Sequence, residues 1–187
     1  MICKRINFER NAKIKSGFIL PVLDMPVTIM QGYNGPWSHG ALEMTTEIKG
    51  KKYVSVNDDS YSLDFQVPFG TQVIAPASGK IYLISSKKFY DGTDFEIGIR
   101  TPSSFAMIEH KDCISICSHL GRFDSGVISG EKVLQGQHIG VTGKSGWVGP
   151  RPHLHFEVCD KVSNTRMSCP VKFDDYSGSL EHSLLVA

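Results

Sequence analysis

The stretch His153-Leu154-His155-Phe156-Glu157-Val158 concentrates side chains able to do chemistry. Polar and apolar residues alternate at period two, which predicts a β-strand. Leu154, Phe156 and Val158 then turn into a core, and His153, His155 and Glu157 share the opposite face. Two imidazoles so placed lie about 7 Å apart at the backbone, from a rise of about 3.3 Å per residue. Zinc bonds a histidine nitrogen at about 2.0 to 2.1 Å. One histidine of the pair can therefore ligate a metal while the other reaches a water on that metal, or a substrate. A half-exposed strand that happens to carry two histidines is the plainer alternative.

Three further positions carry matching chemistry. Asp64 falls on the polar face of a predicted strand whose other face is Leu63, Phe65 and Val67. His119 follows a predicted strand over 113–118, in which Cys113, Ser115, Cys117 and His119 share the face read as polar and Ile114 and Ile116 take the other. His39 sits in the turn-rich run Gln31-Gly32-Tyr33-Asn34-Gly35-Pro36-Trp37-Ser38-His39. Imidazoles and a carboxylate are the ligands of open zinc sites, in which three protein groups leave one position for water. Zinc lowers the pKa of that water to about 7. Peptide hydrolysis then needs a proton acceptor for the water and a donor for the tetrahedral oxyanion. Histidine, which titrates near neutrality, serves both needs. Taken singly, each position has a structural reading: a solvated carboxylate, or a capping or surface histidine. His110 reads as a turn residue with a structural hydrogen bond, and His138 and His182 as surface residues.

The elements that must position these residues are short. Residues 72–75 and 80–84 read as strands joined by the turn Pro76-Ala77-Ser78-Gly79, and 105–109 pairs naturally with 113–118 across His110-Lys111-Asp112. Glycines 121, 126, 130, 136, 140 and 143 punctuate the short apolar runs 127–128, 133–134 and 139–141. Such spacing favours a strongly bent sheet. No stretch shows a 3.6-residue amphipathic period, so few or no helices are expected. Residues 86–103 read as a long surface loop. Val54 and Val56 alternate beyond the turn Lys49-Gly50-Lys51-Lys52, which predicts a surface hairpin inserted over 40–60. Residues 1–16 read as an N-terminal arm or irregular first strand, 17–175 as the main domain and 176–187 as a tail.

Composition narrows the function classes. The chain has 187 residues, 41% hydrophobic and 21% charged, with a net charge of +1. That supports a real core and argues against electrostatic binding of nucleic acid or anionic membrane. No apolar run approaches the roughly 18 to 20 residues that span a bilayer. Basic residues 4–15 followed by Gly17-Phe18-Ile19-Leu20-Pro21-Val22-Leu23 have the outline of a signal peptide. Pro21 and Asp24 break that run and no small-x-small cleavage site follows. The five cysteines, Cys3, Cys113, Cys117, Cys159 and Cys169, lack disulfide-framework spacing and read as partly buried free thiols.

Four motifs in order resemble the lysostaphin-type (LytM-like) zinc metallopeptidases. Asp64 to Gly79 is similar to their aspartate segment, Ser118-His119-Leu120 to their His-Leu motif, Gly130 to Gly143 to their glycine-rich lead-in, and Pro152 to Val158 to their signature. Arg166 to Phe173 resembles a tail found in one branch. The resemblance implies a mainly β fold, with a compact, strongly bent antiparallel sheet and an open groove. It implies one zinc ion held by Asp64 and His155, with His119 and His153 flanking the water as general base and oxyanion stabilisers. In most of the family the first ligand stands four residues before the aspartate, which here is Ser60. The run ending at His39 resembles a branch in which the ligand follows a Gly/aromatic/Ser run, and this makes His39 the expected third ligand. The 24 residues between His39 and Asp64 must then loop out, at little thermodynamic cost. Two smaller departures are Cys117, where a tyrosine is common and a substrate-side hydroxyl would be lost, and Arg151, where glycine is common and where a groove would narrow or a carboxylate bind.

The reading that follows is a zinc metalloendopeptidase. Its expected partner is a peptidoglycan stem or cross-bridge peptide, or another small peptide, with no nucleic acid and no membrane span. The rival is an inactive, metallopeptidase-like module that docks the wall or a wall enzyme, favoured by Ser60. A purely structural zinc domain is disfavoured, because structural sites close with four ligands. Scissile bond, compartment and oligomeric state are not legible.

Overall fold

Strands alternating inward apolar and outward polar residues build one large sheet, and two smaller sheets close over its apolar face. The computed structural model describes residues 2–6, 10–23, 26–36, 39–86, 103–149, 151–161 and 167–181. In chain order these form β1 (Ile2–Ile6), β2 (Lys15–Phe18), β3 (Thr28–Gln31), β4 (Ala41–Ile48), β5 (Lys51–Asp58), β6 (Leu63–Gln66), β7 (Gln72–Ile74), β8 (Gly79–Ser85), β9 (Phe105–Glu109), β10 (Cys113–Ser118), β11 (Leu120–Phe123), β12 (Lys132–Val133), β13 (His138–Thr142), β14 (His153–Asp160) and β15 (Val171–Phe173). Among the described residues there is no helix, and none long and apolar enough to cross a membrane.

The central sheet has seven strands in the order β12-β8-β9-β10-β14-β6-β3, all antiparallel. A three-stranded sheet, β11-β13-β7, and the parallel pair β15-β2 complete the main body. The core lies against one face of the large sheet, with Leu63, Phe65, Ile81, Ala106, Ile108, Leu154, Phe156 and Val158 meeting Leu120, Ile139, Val73, Phe18 and Phe173. Phe173 packs 5.7 Å from Phe156 and 6.1 Å from Phe65, centroid to centroid. Burying each such ring contributes about 1.5–3 kcal/mol.

Register settles which residues share the other face. His155 pairs directly with Asp64, and His153 with Gln66. Gln31 on β3 also pairs with Asp64. The strand pattern read for β6 and β14 is the one observed. That for β10 needs correcting: Cys113 and Cys117 belong to the core cluster, whereas Ile116 pairs with Glu157 and Ser118 with His155 on the site face. Cysteine packs as a small hydrophobe, so ranking it as polar inverted the strand. Residues 127–128 lie between the turns at 125–126 and 129–130 and join no strand, and β11 was not foreseen. The expected loop at 86–103 lies almost wholly outside the described residues, as do Trp37, Ser38, Arg166 and His182.

Between the main body's strands β3 and β6 the chain builds a separate sheet. β4 and β5 form a hairpin whose turn residues, Lys49 and Gly50, have φ of 50° and 73°. Two-residue turns with positive φ match the natural twist of a hairpin. β1 adds to the free edge of β4 from Ile2↔Thr45 to Ile6↔Ala41. The base of the hairpin is cinched, with Ala41 paired to Asp58 and the Asp59 N–H donating to the Gly40 carbonyl at 3.1 Å.

Candidate metal centre

Two antiparallel strands supply the first half of the site. Because His155 and Asp64 are directly paired, their side chains leave the sheet side by side, and His155 Nδ1 lies 2.9 Å from Asp64 Oδ1. His153 stands two residues away on the same face, with Nε2 3.8 Å from that oxygen. Gln31 donates from Nε2 to the other carboxylate oxygen, Oδ2, at 2.9 Å. The carboxylate is thereby oriented, with Oδ1 turned to the histidines.

Loops supply the second half. The cinched hairpin base returns the chain so that Gly40 lies against Asp59, and this brings His39 next to Asp64 despite their separation in sequence. The ring of His39 is 0% exposed. Its Nδ1 lies 3.0 Å from the Gly32 carbonyl and its Nε2 3.3 Å from Asp64 Oδ1. His119 arrives differently. Regular alternation would send it toward the core with Cys117, but its backbone takes φ of 64°, a conformation uncommon outside glycine. The turn is held by the His119 N–H donating to Ser103 Oγ at 2.9 Å and by the Gly143 N–H donating to the His119 carbonyl at 2.7 Å. A side chain at Gly143 would collide with Gly121, so this close crossing depends on glycine. The result is a ring 4.8 Å from that of His153 and 6.0 Å from that of His155.

Hydrogen bonds choose the tautomers. Carbonyl oxygens only accept, so Nδ1 is the protonated nitrogen of His39 facing Gly32, of His119 facing Ser145 at 2.8 Å, and of His153 facing Arg151 at 3.0 Å. Each Nε2 is left with its lone pair. That of His39 is buried and has no hydrogen-bond partner among the described residues. Ligand atoms of His39, Asp64 and His155 all lie within 4.8 Å of one another. Burial pushes the Asp64 pKa up, but the neighbouring His39 and His153, together with the hydrogen bond to His155, outweigh it and hold the group well below the usual carboxylate range. Burial, then the neighbouring His153 and His155, push His119 down to about 3. At neutral pH the cluster therefore holds an ionised carboxylate and a neutral His119, the forms that a cation and a proton acceptor require.

A scan against family models matches residues 58–167, more than half of the chain, to peptidase family M23. The chain belongs to peptidase family M23. The matched stretch includes Asp64, His119, His153 and His155 and begins after His39. Among solved structures, a zinc containing peptidase from Vibrio cholerae shares the fold with a TM-score of 0.52 and 24% identity over 81% of this chain and 38% of that one. The chain thus spans well under half of that relative. The catalytic domain of the antimicrobial peptidase lysostaphin from Staphylococcus simulans aligns at 23% identity and a TM-score of 0.46, covering 77% of this chain and 88% of that one. The catalytic domain, as a point mutant, of the prophage-encoded M23 protein EnpA from Enterococcus faecalis aligns at 21% and 0.46, covering 75% of this chain and 93% of that one. No curated protein matches the chain.

The M23 departures now have physical content. Ser60, at the family's usual ligand position, holds a turn: its N–H donates to Asp58 Oδ1 at 3.0 Å and its carbonyl accepts from Asn34 at 2.7 Å. Cys117 faces the core, paired with Phe156 and with its thiol pushed up to about 12 by burial. It therefore removes no hydroxyl from the substrate side. Arg151 is exposed and gives its carbonyl to His153. His110 is the expected structural residue, with Nδ1 3.0 Å from the Ser78 carbonyl and Nε2 2.9 Å from Ser115 Oγ. His138 is half-buried, with Nδ1 4.0 Å from Asp124. Sequence reasoning missed Gln31 as a partner of Asp64. Its place at the head of the run ending in His39 was the available signal.

Proposed function

We propose that the chain is a zinc-dependent metalloendopeptidase, with one zinc held by His39 Nε2, Asp64 Oδ1 and His155 Nδ1. The observation that carries this reading is the convergence of ligand atoms of those three residues within 4.8 Å, with a buried His39 Nε2 that has no hydrogen-bond partner among the described residues. Two neutral imidazole nitrogens and one carboxylate oxygen suit zinc and leave room for a fourth ligand. Bound there, zinc would supply Lewis acidity, polarising a water and a carbonyl oxygen.

The chain's own residues do the rest. Asp64 enters the reaction ionised, since its neighbours hold its pKa low. His119, deprotonated at Nε2, accepts the proton of the attacking water, and its Nδ1–H to the Ser145 carbonyl keeps the ring aimed. His119 then passes that proton to the leaving amine, and His153, held at Nδ1 by the Arg151 carbonyl, stands across from it and steadies the oxyanion once its Nε2 is protonated. The catalytic unit is taken as 17–175, with the 40–60 hairpin as an insertion on its surface. Membership of the family points to peptidoglycan stem or cross-bridge peptides as substrate.

The test has two parts. Elemental analysis after dialysis against zinc should give about one zinc per chain, and the zinc-loaded protein should release new amino groups from purified peptidoglycan, mapped by mass spectrometry. Zinc uptake without cleavage of peptidoglycan or of small peptides would overturn the enzyme. Ser60 in the usual ligand position favours a second reading, a module that docks the wall without cutting it. Retention on peptidoglycan sacculi with no zinc and no release of amines is the outcome it requires.

A further inference from the structure

The His39 side of the site is built on a loop, and the N-terminal strand holds that loop. β1 pairs with the first residues of β4, Arg5 opposite Leu42 and Ile6 opposite Ala41. From there the Arg5 guanidinium reaches back over the turn that carries His39. Its Nη2 donates to the His39 carbonyl at 2.6 Å and to the Gly35 carbonyl at 3.1 Å, and its Nη1 donates to the Pro36 carbonyl at 3.1 Å. A Cβ at Gly40 would stand 2.8 Å from Nη2, so the glycine after His39 is what admits the guanidinium. One planar fork thus gathers the carbonyls of Gly35, Pro36 and His39.

We propose that Arg5 is a positioning residue for the metal centre: through these three carbonyls it fixes the backbone of His39 so that Nε2 meets Asp64 and His155 already assembled. The inference rests on the zinc reading above and extends it to a residue outside the region matched to the family. Partners that orient a ligand from behind commonly change metal affinity about 10–100-fold when removed. Electrostatics predicts the opposite sign, because deleting a positive charge near a cation site strengthens cation binding. A loss of affinity on removing Arg5 is therefore diagnostic of positioning.

The experiment uses the full chain stripped of metal, with zinc affinity measured by competition against a chromophoric chelator and the melting temperature of the metal-free form measured alongside. Arg5→Ala should weaken zinc binding about tenfold or more. Arg5→Lys, which keeps the charge but not the fork, should fall between the two. Lys4→Ala, the neighbouring exposed cation on β1, should leave affinity unchanged. If Arg5→Ala also lowers the melting temperature, Arg5→Lys measured well below both transitions decides. Affinities within twofold of the parent for Arg5→Ala, or for Arg5→Lys in that case, overturn the proposal while the zinc site stands. A parent protein that binds no zinc overturns the metal reading and this inference together.

Discussion

The two halves of the site are held by different physics. Asp64, His153 and His155 ride on paired strands whose opposite faces are buried in the core. A one-residue slip of either strand would expose its own apolar pair, Leu63 and Phe65 or Leu154 and Phe156, so core burial enforces the register that joins Asp64 to His155. His39 and His119 have no such guarantee. The first is delivered by a cinched hairpin and a guanidinium gathering carbonyls, the second by a left-handed backbone beside a crossing of two glycines. Strands place chemistry by hydrophobic burial, and loops place it by hydrogen bonds that must each be satisfied.

Breaking the strand-held half should have the largest effect. Asp64→Ala removes the carboxylate shared by all three neighbouring imidazoles, and peptidase activity should drop to background with zinc content near zero by elemental analysis. Next comes His119→Gln, which should retain zinc and lose about 10²- to 10⁴-fold in turnover, the range of general acid–base catalysis. Loss of zinc in that variant would instead make His119 part of the metal shell. Gln31→Leu should weaken zinc binding about 10–100-fold, read by chelator competition, because Asp64 Oδ2 loses its donor.

Stability separates the regions as well. Phe156→Ala, under the strand-held half, should cost about 3–5 kcal/mol in denaturant unfolding. Val54→Ala on the hairpin, where the side chain is 62% exposed, should stay within about 0.5 kcal/mol. Equal losses at both positions would mean that the hairpin is packed in solution.

A further effect is on pH dependence without metal. His119 has its folded pKa depressed from 6.5 to about 3. The unfolded chain therefore binds the proton first, and stability is lost as pH falls from 6.5 toward 3. Asp64, also depressed, adds a loss of the same sign below its ordinary value of 3.8. Denaturant midpoints of the parent and His119→Gln should run closer together as pH falls through that window. Parallel curves would show that His119 titrates normally when folded.

Much of this was legible in residue order because period-two burial is a local signal. Leu63-Asp64-Phe65 and Leu154-His155-Phe156 state which side faces the core, and so which side is free for chemistry. β10 misled because cysteine looks polar but packs as an apolar group, and His119 reaches the site against the alternation of its own strand. The hairpin between His39 and Asp64 was visible from its turn, but the closure of its base by Asp59 and Gly40 was not. Nor was the reach of Arg5 to His39, or of Gln31 to Asp64. Residue order determines which side chains a strand can present, because alternation is set within a few residues. Only the tertiary structure decides which loops meet them, because those contacts join positions 30 and more residues apart and depend on single backbone angles and carbonyl directions.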